Sequence, residues 1–379
     1  MMWIAIRMLT GDRVKFIGLV FGVAFSTLLI TQQLTIFVNL LLRGAAAVHE
    51  VSSVDIWVMD PAGRTTDVTL PMPSTDLQRV RGVPGVDWAV PMIRSGANVR
   101  TPEGALEPVT VVGLDDATLL GLPTAVMLGQ RESLREPDAV FIDGVGARKL
   151  FGSDAAAMNV RLELNDQRAI IRGLVDAEPT FTSGVLLYTR YSNALNFVPG
   201  TRNRLSFVLV RAGDGEDVAV VARRIETETG LRARTSAQFA QDGIDYIIDN
   251  TGIPINFGIT VALGVIVGIV IVGLTFSLFI RDNIKQFGAL KAIGVTNATI
   301  RQMVVAQSAL VALIGYGLGL ILAITLIELG ATYSDAFKGF YTPYQIPLIA
   351  AGTVVVMILI TGFLALRQVL KTEPAEVFR

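Results

Sequence analysis

One histidine, His49, and no cysteine occur in the 379 residues, and these two counts bound the chemistry available. A Ser-His-Asp triad would rest entirely on His49, a residue just past a long apolar run and read as a solvated side chain on a helix extension. An HExxH metalloprotease site needs two histidines, and zinc sites built from Cys and His lack their ligands. No GxxxxGK[ST] loop is present to cradle the phosphates of ATP. The glycine-rich "GYGLG" at 315–319 lies inside an apolar run, where a nucleotide loop has no place. No catalytic residue, no metal site and no cofactor of its own are therefore expected in this chain. Two non-catalytic clusters remain. One is the basic set Arg281, Lys285, Lys291 and Arg301 around "FGALKAIGVTNATIRQMVVAQS" (287–308); the other is a polar stripe, Thr31, Gln32, Thr35 and Asn39, in an otherwise apolar segment.

The elements that must carry them are set by composition. The chain is 51% hydrophobic and 17% charged, against about 25% charged in a typical soluble domain. Uncharged stretches run over 16–42, 250–280, 302–327 and 339–366, each beyond the roughly 20 residues that cross a bilayer core. The spacing predicts an α-helical membrane protein with four transmembrane helices in a one-plus-three arrangement. Helix one with its stalk covers 16–43, helix two 251–280, helix three 302–327 and helix four 339–366. The first apolar run is too long for a signal peptide and reads as an uncleaved anchor. Basic residues gather in 1–15, in the loop 281–301 and in the tail 367–379, which the positive-inside rule places in the cytoplasm together with both termini. The short loop 328–338 and the large segment 44–250 then lie outside. That segment holds 20 Lys and Arg against 27 Asp and Glu, so it is acidic while the rest of the chain is basic. No basic patch points to nucleic acid.

The external segment reads as α+β. Strands are expected at 55–60, 88–101, 107–115, 168–177 and 205–212, rich in Val and Ile and bounded by Gly, Pro or Asp. Helices are expected at 74–83, 216–230 and 235–250. Two lobes of about a hundred residues each would account for the length, standing on their own core because no disulfide is available.

Gly18 and Gly22, Gly264 and Gly268, and Gly315 and Gly319 each form GxxxG, the spacing that lets membrane helices approach closely, within one chain or between two. The stripe on helix one is either a substrate path or a helix contact, since polar groups in lipid are costly unless paired. Between helices two and three, Asp282 or Asn283 can cap a short helix with Ile284, Phe287, Leu290 and Ile293 on one side. Gly294 suits a left-handed stop, and Thr296 or Asn297 can cap the next helix. Such an elbow lies on the lipid surface or docks a cytoplasmic partner.

The stretch "RDNIKQFGALKAIGVTNATIRQMVVAQSALVALIGYGLGL" (281–320) resembles the signature of the FtsX-like permeases, the membrane subunits of MacB-type ABC transporters. Gly288, Leu290, Lys291, Ala292, Ile293 and Gly294 fall on its G-x-L-[RK]-A-[IL]-G pattern. The terminal "KTEPAEVFR" is similar to the family's D-P-A-E close, with Glu373 in place of the aspartate. Gln286 stands where many members have Glu, and Asn297 to Thr299 where an arginine pair is common. Length and "QFGALKAIGV" resemble the DevC-like exporter branch, whose ATPase is a separate chain. The resemblance implies a MacB-like periplasmic core and a permease dimer, with a cytoplasmic ABC ATPase carrying ATP and Mg beneath it. Lys285, Gln286, Phe287, Gly288, Leu290, Lys291, Ala292, Ile293 and Gly294 would form the ATPase-contacting coupling helix. It further implies a periplasmic adaptor protein, residence in a bacterial inner membrane, and export of a lipid, glycolipid, peptide or drug-like amphiphile by mechanotransmission. The alternatives are activation of a cell-wall hydrolase, whose permeases usually carry a smaller external domain, and extraction of lipoproteins.

Overall fold

The computed structural model describes residues 2–51, 53–177, 184–198, 200, 203–334, 337 and 339–371. The resembling C-terminal close with Glu373, and Lys338 of the short external loop, lie outside them. The chain forms two compact units, residues 40–251 and the combination of 1–39 with 252–379.

The helical unit is built on four apolar helices long enough to cross a membrane: Arg13–His49, Ile253–Asp282, Asn297–Tyr333 and Gln345–Lys371. The first and third have 37 residues each, about 55 Å of helix, well beyond the roughly 30 Å of a hydrocarbon core. Charge-free stretches underestimate them because the helical hydrogen bonds continue through Arg301 and Glu328. The fourth helix begins at Gln345 rather than 339. Gly339 adopts φ +78°, and Pro343 keeps the residue before it out of helical geometry, so 339–344 form an irregular connection. A short helix, Met2–Gly11, precedes the first and buries Ala5 and Leu9, and the Gln307 amide donates 2.7 Å to the Ala5 carbonyl.

In lipid, apolar surface gains little by leaving its solvent, so helices associate where their backbones approach. All six GxxxG glycines lie at such approaches. A Cβ on Gly22 would meet Ile271 at 2.8 Å, and one on Gly315 would meet Val23 at 2.6 Å and the Val20 carbonyl at 3.0 Å. Gly268 faces Ser26 and Met357, Gly319 faces Ala24 and Thr27, Gly264 faces Leu29, and a Cβ on Gly18 would lie 3.5 Å from Thr275. The first helix is thus held by the second and third between Gly18 and Ile30. Ser26 adds an Oγ–H bond of 3.0 Å to the Gly264 carbonyl.

The external unit contains a ten-stranded sheet. Strands Arg232–Thr235, Ile56–Met59 and Phe207–Ala212 pair in that order with the first part of the long strand Val86–Arg100. The rest of that strand pairs with Leu106–Leu114, and pairing continues through Leu186–Arg190, Ala139–Asp143 and Gln167–Val175. Arg161–Leu164 then pairs both with Gln167–Val175 and with Val99 and Arg100. Six strands therefore close into a ring around Val99, Val109, Ile142, Leu164, Ile171 and Leu187. The open part of the sheet and the ring share one strand. Val86–Arg100 is long enough, at 15 residues, to serve the open four-stranded sheet with one end and the ring with the other.

Two helices lie against one face of this sheet: the end of Arg13–His49, from residue 40 onward, and Ser236–Asn250. Ala45 and Val48 from the first and Phe239 and Ala240 from the second share a buried cluster with Trp57, Met92 and Phe207. The Trp57, Phe207 and Phe239 rings sit 5.3 to 5.7 Å apart. Thr235 and Gln238 cap the second helix reciprocally, and Asp242 pairs with Arg232 at 2.8 Å and Arg234 at 3.1 Å. The two helices touch through glycine: a Cβ on Gly44 would meet the Gly243 carbonyl at 2.8 Å, and one on Gly243 would strike the Gly44 carbonyl.

Because the obstacle is backbone, Gly243→Val should destabilise the external unit by about 1–3 kcal/mol, a drop of several degrees in Tm. Thermal unfolding of the detergent-solubilised chain measures it. Gly96→Ala, with nothing within 4 Å of the added carbon, should leave it unchanged.

Candidate functional site

The elbow forms as a nine-residue helix, Ile284–Ala292, directly after Asp282. Asn283 stands at its start but does not cap it. Its amide instead turns back and donates 2.8 Å to the Phe279 carbonyl, satisfying the end of the preceding helix. Gly294 takes φ +92°, the Val295 amide closes on the Leu290 carbonyl at 3.0 Å, and the Thr296 hydroxyl caps the third long helix by accepting from Thr299. Lys15 bridges Asp12 and Asp282, tying the base of the first long helix to the root of the elbow. The hydrogen bond from Lys15 holds the Asp12 carboxyl below its ordinary value.

Of the nine residues expected to contact a partner, the structure turns two inward. Phe287 is 2% exposed within the helix-bundle core beside Leu9, Phe279 and Ile300, and Gly288 is buried next to it. The side predicted as one apolar stripe is therefore divided: Phe287 anchors the elbow, Leu290 is half-buried, and Ile293 points outward at 76% exposure. Lys285, Gln286, Ala292, Ile293 and Gly294 are exposed, with Lys291 partly so. An exposed apolar residue flanked by lysine, glutamine and alanine on a rigidly rooted helix suits protein docking. Sequence reading missed the hollow of about 820 Å³ that adjoins it, lined by Trp3, Arg7, Asp12, Arg13, Asp282 and Gln286. The one signal for it is the Trp3 and Arg7 pairing at helical spacing, which places the guanidinium 4.6 Å over the indole.

The polar stripe lies within the helical unit, where three of its four residues are packed away from the surface. Thr31, Thr35 and Asn39 are all buried. The Asn39 amide donates 2.8 Å to the Tyr341 carbonyl, its oxygen accepts from the Tyr341 amide at 3.3 Å, and Thr35 reaches Thr342 at 3.4 Å. Asn39 and Thr35 thus supply partners to the irregular connection 339–344, while the buried Thr31 hydroxyl makes no hydrogen bond among the described residues. Gln32 stands aside, partly exposed. Among the described residues no three His, Asp or Glu side chains converge as a metal ion would require.

Inside the external unit, Glu50, just past the end of the first long helix, accepts a 3.3 Å hydrogen bond from the buried Tyr188 hydroxyl. Burial first, and the Glu50 charge second, hold the Tyr188 phenol well above its ordinary value.

Four apolar helices, a rooted elbow between the second and third, and an α+β domain inserted after the first define a membrane permease of one-plus-three design. Residues 258–374 match the FtsX-like permease C-terminal family, and residues 16–228, more than half of the chain, match the MacB-like periplasmic core domain. The chain belongs to the FtsX-like permeases of MacB type. It is 23% identical over 313 residues to the macrolide export ATP-binding/permease protein MacB of Agrobacterium fabrum, covering 79% of this chain and 48% of that protein. With the protein of the same name from Burkholderia thailandensis it shares 20% over 259 residues, 66% of this chain and 39% of the relative. The chain thus spans about half the length, or less, of the curated relatives it matches. Among solved structures, the periplasmic region of MacB from Actinobacillus actinomycetemcomitans aligns at 15% identity with TM-score 0.39, over 54% of this chain and 96% of that one. The extracellular domain of the transporter YknZ from Gram-positive bacteria aligns at 19% with TM-score 0.35, over 48% and 98%.

Removing the Asn39 contacts with Asn39→Leu should cost the helical unit about 1–2 kcal/mol in detergent unfolding, while Gln32→Leu should cost less than half of that. For Tyr188 the folded pKa lies above the unfolded value of about 10, so its contribution is complete below that pH and fades above it. The external unit should lose stability faster past pH 10 than its Tyr188→Phe variant, as read by circular dichroism.

Proposed function

We propose that this permease works with a cytoplasmic ATP-binding ABC partner, which holds ATP and Mg, and that the elbow is the partner's docking element. The observation that supports it most is the pairing of a buried root, Phe287, with an outward Ile293 one turn and a half later. A helix anchored on one side and apolar on the other transfers a push where a freely lying surface helix would only slide. Basic residues on the elbow side favour the cytoplasmic orientation, with the acidic domain outside.

In this reading the chain acts as a non-catalytic subunit in a dimer. Closure of the partner on nucleotide tilts the elbow, and Lys15 with Asp282 passes that tilt to the base of the first long helix. The same helix runs unbroken to His49, where the contact of Gly44 with Gly243 couples it to Ser236–Asn250. The external domain is then moved without cargo crossing the whole bilayer. Export of an amphiphile through a periplasmic adaptor is the function we favour, in line with the export named for the relatives. The burial of Thr31, Thr35 and Asn39 favours the helix-contact reading of the polar stripe over a substrate path, in line with mechanical transmission.

Ile293→Asp should weaken binding of the ATP-binding partner by about tenfold or more, the effect of placing a charge in an apolar contact, and should abolish transport-coupled ATP hydrolysis. Membrane insertion should be unaffected, since the residue is exposed. Unchanged co-purification and unchanged ATPase stimulation would remove the elbow from its role.

A further inference from the structure

A groove of about 550 Å³ runs between the third and fourth long helices, and none of the functional roles above uses it. Its lining spans Arg301 to Tyr316 on one helix and Ala351 to Leu366 on the other, sixteen residues on each, or about 22 Å end to end. That exceeds the roughly 15 Å depth of one leaflet's hydrocarbon. Ala309, Ala312 and Gly362 keep it open, while Leu313, Leu359 and Phe363 form its exposed rims. Its few internal polar groups are already satisfied, Ser308 on the Val304 carbonyl and the Tyr316 hydroxyl on the Pro347 carbonyl. The helices are antiparallel, so Arg301 and Leu366 share one mouth, on the elbow side. Arg301 is exposed there, and among the described residues no carboxylate pairs with it.

We infer that this groove is a binding site for an anionic phospholipid of the elbow-side leaflet, with an acyl chain between the helices and its phosphate on Arg301. The charge chooses the ligand. An apolar slot closed at one end by a guanidinium that pairs with no carboxylate among the described residues matches a single-chain-deep amphiphile with a negative head. A second protein helix would leave that cation facing apolar surface. A lipid wedged here braces the third helix, which packs on the first through Gly315 and Gly319.

The test uses the full-length chain in detergent, presented with phosphatidylglycerol and phosphatidylcholine of identical acyl chains and read by native mass spectrometry. The site predicts a one-to-one phosphatidylglycerol adduct retained about fivefold or more over phosphatidylcholine. Arg301→Gln should erase that preference, and Ala309→Phe, which fills the groove, should reduce retention of both lipids. Equal retention of the two lipids by the unmodified chain would overturn the proposal without any variant. So would a preference that survives Arg301→Gln. The natural absence of cysteine allows one more discrimination: a single Leu313→Cys that forms disulfide-linked dimers in the membrane would show a second copy in the groove and refute the lipid.

Discussion

Two glycine backbones in contact, Gly44 against Gly243, are the constraint on which the rest of the structure turns. The first helix and Ser236–Asn250 are the routes by which the chain enters and leaves the external domain, and this contact lets no side chain come between them. Trp57, Phe207 and Phe239 then seat the second helix on the sheet, and Asp242 with two arginines fixes its direction. Without close backbone approach the helices would rest on flexible side chains, and displacement of one would be absorbed before it reached the other. The same device recurs in the helical unit, where Gly22, Gly268, Gly315 and Gly319 bring the first helix against its neighbours. One continuous helix, Arg13–His49, therefore carries both sets of contacts.

Polar chemistry in the apolar unit is spent on closure. Asn39 and Thr35 supply hydrogen bonds to a connection that cannot be helical around Gly339 and Pro343, and Asn283 completes the end of the second long helix. Thr35 and Asn39, candidates for a substrate path in a linear reading, are partners of that irregular connection. The outward face of the elbow, by contrast, carries side chains that no contact among the described residues uses, Ile293 above all.

Much of this plan is legible in the sequence, for physical reasons that also explain what is not. Four apolar runs, the GxxxG pairs and the left-handed Gly294 depend on local composition and spacing. The division of the elbow does not. Phe287 and Ile293 share a three-residue rhythm, and only the packing of Phe287 beside Leu9 and Ile300 separates anchor from contact. Strands Ala139–Asp143 and Leu186–Arg190 carry no alternation to read because both are short, central and nearly fully buried on both faces. Closure of the ring by Arg161–Leu164 joins residues more than sixty positions apart, and no window along the chain contains it. Gly44 and Gly243 carry no motif at all, since each acquires its meaning only opposite the other.

The central claim is that this permease is driven by an ATP-binding partner, and isolation of the full-length chain from its native membrane tests it most directly. The tagged chain, expressed at its natural level, would be extracted in mild detergent and its companions identified and counted by mass spectrometry. An ABC ATPase recovered in amounts comparable to the permease is the expected result. Its absence, under conditions in which other membrane complexes stay intact, would contradict a nucleotide-driven mechanism and leave the helix couplings without an engine.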